Sequence, residues 1–60
     1  MKYNIGDKVV IMHCPNAKFI GVTGTVVVAR LGGTYNVKPD ENISGVLNTV
    51  FVYESELAPA

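Results

Sequence analysis

Apolar residues along this chain alternate or run in short blocks. No stripe at i, i+3, i+4 and i+7 persists over three turns, so no amphipathic helix is predicted. Lys8 to His13 (KVVIMH) is the first clear strand, with Val9 and Ile11 on one face and Val10 and Met12 on the other. Gly6-Asp7 before it is a turn signal. Cys14 to Lys18 breaks the pattern as a loop, because Pro15 has no N–H to give to a ladder. Phe19 and Ile20 return the chain, Gly21 allows a bend, and Thr25 to Arg30 (TVVVAR) is the strongest strand. Val26 and Val28 are expected to point inward there.

Leu31-Gly32-Gly33 predicts a hairpin turn, in which paired glycines accept the positive φ of primed turns. Thr34 to Lys38 alternates, with Tyr35 and Val37 on one side. Pro39 to Asn42 reads as a turn and Ile43 to Gly45 as a weak segment. Val46 to Tyr53 is the last long strand, and Glu54 to Leu57 reads as one tight helical turn. Ala58 to Ala60 frays or adds a short final strand. The expected fold is all-β: five short strands forming a small, partly open barrel, with a helical turn before the last strand. The expected core is Val9, Ile11, Val26, Val28, Val37 and Leu57. The register of the last long strand stays open, since either Val50 and Val52 or Phe51 and Tyr53 could face inward.

Composition agrees with this reading. The chain has 60 residues and 48% hydrophobic content, which places it as one small folded domain, 1–60. Valine is its commonest residue, and β-branched side chains favour a pleated, half-buried surface. Five basic residues balance five acidic ones, unlike domains built mainly to grip phosphate backbones. No apolar run approaches a membrane span, and the first residues do not form a signal peptide. The single cysteine, Cys14, excludes an internal disulfide and suits a reducing compartment, so a cytoplasmic location is expected.

Catalytic chemistry is not expected. His13-Cys14 is the one nucleophile–base pairing, and neighbours on a strand point to opposite faces. Two ligands are too few for an intrachain zinc site. Asp40-Glu41-Asn42 lacks the spacing of an EF-hand loop and reads as a solvated turn. Glu54 and Glu56 read most simply as a solvated helical turn, and Asn42-Ile43-Ser44 as a chance match to a glycosylation sequon. No cofactor or metal is expected.

The resemblance carried by these residues is to the SH3-like small barrels. Ile5-Gly6-Asp7-Lys8-Val9-Val10-Ile11, then Phe19-Ile20-Gly21-Val22-Thr23-Gly24-Thr25-Val26, then Tyr35-Asn36-Val37, resemble the KOW motif of ribosomal proteins and transcription elongation factors. The ending, Val52-Tyr53-Glu54-Ser55-Glu56-Leu57-Ala58-Pro59, resembles the closing turn of small photosystem accessory subunits and of short phage and bacterial proteins. The group hosts many unrelated functions. The KOW resemblance implies RNA binding, but the loop between the first two strands holds only Lys18 where such binders place basic residues.

Three strands are apolar on both faces, where one solvated face would be polar. One set fills the core. The other, Val10, Met12, Val27, Phe51 and Tyr53, is the candidate partner-binding patch, since contiguous exposed apolar surface marks interfaces. The functional expectation is a non-catalytic protein-interaction module, bound to a protein partner or to its own copies. The alternative is a nucleic-acid-binding module that stacks bases on Tyr35, Phe51 or Tyr53.

Overall fold

A computed structural model describes residues 2–41 and 49–60. Strands β1 (Lys8–Ile11), β2 (Thr23–Ala29), β3 (Thr34–Pro39), β4 (Val50–Tyr53) and β5 (Leu57–Pro59) form one antiparallel sheet. Its order is β4-β3-β2-β1-β5. The five strands and the short turn before the last one are as expected. Closure is not: the sheet leaves β4 and β5 as separate edges rather than joining into a barrel. Predicted strand boundaries shift, as the first strand stops at Ile11 and the second begins at Thr23. The expected features at Asn42, at Ile43 to Gly45 and in the first half of the last strand lie outside the described residues.

The alternation of β1, β3 and β4 fixes the core. Val9, Ile11, Val26, Tyr35, Val37 and Val52 are completely buried, and Tyr3, Val50 and Leu57 nearly so. The register of β4 is thereby settled, with its valines inward and Phe51 and Tyr53 outward. Tyr3 is an addition to the expected core. It precedes the first strand and shows no periodicity that would have placed it inside.

Val28 is a correction. It is exposed, not core, because β2 carries a β-bulge between Val26 and Val28. Val26 pairs with Val37, yet Val28 pairs with Asn36, so Val27 is an extra residue with no partner of its own. One inserted residue reverses the facing of everything after it. Val26 points in, Val28 out, and Ala29 packs against the core.

Two glycines stand where a side chain would be strained. A Cβ on Gly24 would lie 2.6 Å from both the Lys38 carbonyl oxygen and Val37 Cγ1, so β2 approaches β3 closely only with glycine there. Gly33 has φ +82° and closes the β2–β3 hairpin. Arg30 and Thr34 pair through the Arg30 N–H, and the Gly33 N–H donates to the Arg30 carbonyl at 3.1 Å. That makes a three-residue loop with a single left-handed residue, in place of the expected primed turn on two glycines.

The loop from Cys14 to Lys18 is not irregular throughout, as it runs into a 3-10 turn, Ala17–Phe19. Asn16 caps it by accepting from the Lys18 N–H. A second 3-10 turn, Glu54–Glu56, turns the chain from β4 to β5. No described helix is long and apolar enough to cross a membrane.

Candidate functional site: the outer face of β4

Phe51 and Tyr53 follow from the β4 register. Val50 and Val52 occupy the inner face, so the alternate side chains must stand on the outer one. Both rings are about half exposed, 52% for Phe51 and 56% for Tyr53. They pack edge to face, with centroids 5.7 Å apart. The Arg30 guanidinium lies 5.5 Å from the Phe51 ring centroid. Its Nη1 also donates to Asn36 Oδ1 at 2.6 Å, which fixes it over the ring. Asn36 opposes both Phe51 and Val28 in the ladder, and its Nδ2 donates to Thr49 Oγ1. The cluster is therefore two aromatic rings, an exposed valine and a held cation across β4, β3 and β2.

The register divides the sequence-predicted patch. Met12 is exposed, while Val10 and Val27 are half-buried. Val10 lies between Thr23 of β2 and Ala58 of β5. Strands β2 and β3 separate β1 from β4, so Val10 and Met12 are not neighbours of Phe51 and Tyr53. Val28 and Arg30 join the aromatic pair instead. The bulge puts them there, and hydrophobic alternation carries no signal of a bulge. Tyr35, a candidate for base stacking, is completely buried and presents no ring to solvent.

The other candidate residues have local roles. His13 is exposed and Cys14 is half-buried against the core edge. Asp40 accepts from Lys8 Nζ at 2.6 Å. That hydrogen bond, with the lysine charge, holds the Asp40 carboxyl below its ordinary range. Glu54 and Glu56 are more than a solvated turn. Glu54 accepts from the Tyr35 hydroxyl and the Lys2 N–H, and Glu56 Oε1 accepts from the Tyr53 N–H at 2.8 Å. A shallow depression of about 170 Å³ lies between Ile20, Gly21, Val22, Thr23 and Glu41. It is smaller than the roughly 300 Å³ at which small-molecule sites begin.

Comparison of the chain with protein-family models, with curated proteins and with solved structures finds no match.

Proposed function

We propose that this chain is a non-catalytic protein-interaction module whose contact surface is the outer face of β4. The observation that carries the reading is the exposed Phe51–Tyr53 pair, held beneath Arg30. Two half-exposed rings leave roughly 200 Å² of aromatic surface in water, and covering it releases on the order of 5 kcal/mol before association costs. Those costs are of similar size, so a lasting complex also needs Val28 and the polar rim of Arg30 and Asn36. A meander of four strands, a 3-10 turn and a fifth strand returning to β1 support keeping the SH3-like resemblance within this proposal.

The test is Phe51→Asp. The variant should keep the circular dichroism spectrum of the wild type and bind the physiological partner at least about tenfold more weakly. Equal binding by the two proteins contradicts the reading.

One observation favours a second reading. Aromatic rings beside Arg30, with Lys38 on the same face of β3, are the components of a platform for single-stranded nucleic acid. Fluorescence anisotropy with a labelled oligouridine at low salt tests it. Binding that Arg30→Ala and Phe51→Asp both abolish would favour nucleic acid over protein.

A further inference from the structure

The two sheet edges differ, and the difference follows from which backbone groups face outward. On β5, Met12 donates to the Glu56 carbonyl and Ala60 to the Lys8 carbonyl, so Leu57 and Pro59 are the residues whose backbone faces away from β1. Neither leaves a usable group pair. The Leu57 N–H donates to the Glu54 carbonyl, the Leu57 carbonyl accepts from the Tyr3 hydroxyl, and Pro59 has no N–H. That edge is closed to another strand.

On β4, Glu54 donates to the Gly33 carbonyl. By antiparallel alternation Val52 and Val50 also bond toward β3, and Phe51 and Tyr53 face away from it. Glu56 takes the Tyr53 N–H. Among the described residues the Phe51 N–H and carbonyl and the Tyr53 carbonyl have no partner.

From this asymmetry we infer that β4 pairs with β4 of a second copy of the chain, antiparallel and centred on Phe51. The inference rests on the interaction reading above and names its partner. With β5 closed, copies cannot add head to tail into a filament. The remaining strand pairing is isologous and stops at a dimer. The two-fold arrangement gives two bonds between Phe51 and its counterpart. Thr49, which continues β4 outward, pairs with Tyr53 of the other copy. Its N–H donates to the Tyr53 carbonyl, and its carbonyl replaces Glu56 Oε1 as acceptor of the Tyr53 N–H, so the Glu56 cap is exchanged for strand pairing.

The charges are self-complementary in the same register. Lys38 lies beside Thr49 on the continued β3–β4 ladder, and Glu56 sits at Tyr53. Pairing Thr49 with Tyr53 of the other copy places each Lys38 two strand spacings, ~9.6 Å, from the other copy's Tyr53, within reach of the long Lys38 and Glu56 side chains. Balanced charge on the whole chain adds no repulsion.

The contact is small. A standard interface covers about 800 Å² per partner, which is a fifth of this chain's 3804 Å². A strand edge of four residues offers less, so the dimer should be weak, with Kd of about 0.1 mM.

Sedimentation equilibrium from about 10 μM to 1 mM tests the inference, using wild type, a synthetic chain N-methylated at Phe51, and Lys38→Glu. The N-methyl group removes one outward donor and leaves both rings and every described intrachain bond in place. Wild type should pass from monomer to dimer. The N-methylated chain, with unchanged circular dichroism, should dimerise at least about tenfold more weakly, and Lys38→Glu about threefold more weakly. A wild type that stays monomeric overturns the inference. So does an N-methylated chain that dimerises like wild type, or one that loses the fold if Lys38→Glu also dimerises like wild type. A monomeric wild type whose protein partner is lost on Phe51→Asp would sink the strand pairing alone and leave the interaction reading standing.

Discussion

The ring of Tyr3 meets that of Tyr35 edge to face, with centroids 5.6 Å apart, and the Tyr3 N–H donates to the Tyr35 hydroxyl. That hydroxyl in turn donates to Glu54 Oε1 at 3.2 Å. The Tyr3 hydroxyl reaches the Leu57 carbonyl. A residue near the chain start thus ties β3, the second 3-10 turn and β5 together, with its polar atoms satisfied inside the core. Removing the Tyr35 hydroxyl leaves the Tyr3 N–H without its acceptor. Tyr35→Phe should therefore lower stability by about 1–2 kcal/mol, read as a lower urea midpoint with an unchanged slope. Tyr3→Ala, which also opens a cavity, should cost about 3–5 kcal/mol.

The close approach at Gly24 gives a steric prediction. A methyl group there meets the Lys38 backbone carbonyl and the fully buried Val37 side chain, neither of which can easily give way, so β2 and β3 must separate. Gly24→Ala should destabilise by about 2 kcal/mol or more. Thermal melting checks it: a fall of roughly 8–16 °C is expected for a chain of this size.

The bulge in β2 predicts opposite outcomes at two valines that the sequence treats alike. Val26→Thr buries a hydroxyl where Val26 is fully enclosed and should cost about 1–3 kcal/mol. Val28→Thr, on the exposed side, should stay within about 0.5 kcal/mol of wild type. Denaturant unfolding of both variants reads the comparison.

Those two valines also mark where the sequence stopped being informative. Alternation placed Val9, Ile11 and Val37 correctly, because unbroken strands preserve a period of two, while Tyr35, on the Val37 side but absent from the expected core, is buried in it. It failed at Val28, since a bulge changes the count without changing the residue types. It was silent on β4, where Val50, Phe51, Val52 and Tyr53 are all apolar and either face could fill a core. The three-dimensional ladder decided that case, and with it the composition of the exposed cluster. Val10 and Met12 look equivalent to Phe51 in sequence, but strand order sets them apart.

Acid should weaken the Lys8–Asp40 link. The folded Asp40 carboxyl lies below its ordinary range, chiefly through the Lys8 hydrogen bond. The unfolded state therefore binds the proton more readily. Stability from this pair is fully present above the unfolded value, about 3.9, and is lost as pH falls through the lower folded value. The pair is exposed, so the loss is small. Asp40→Asn should remove this pair's loss of stability below about pH 4 and leave a slightly lower plateau above it, as measured by melting temperature against pH.

The most direct test of the contact surface is position-resolved photo-cross-linking in extract from the source cells. A benzophenone side chain is placed at Phe51, at Tyr53, at Met12 or at the strongly exposed Leu31 in four separate proteins. Irradiation at positions 51 and 53 should give a discrete protein adduct that positions 12 and 31 do not. An adduct of equal yield at all four positions, or one formed at 12 alone, would contradict the assignment of the interaction surface to β4.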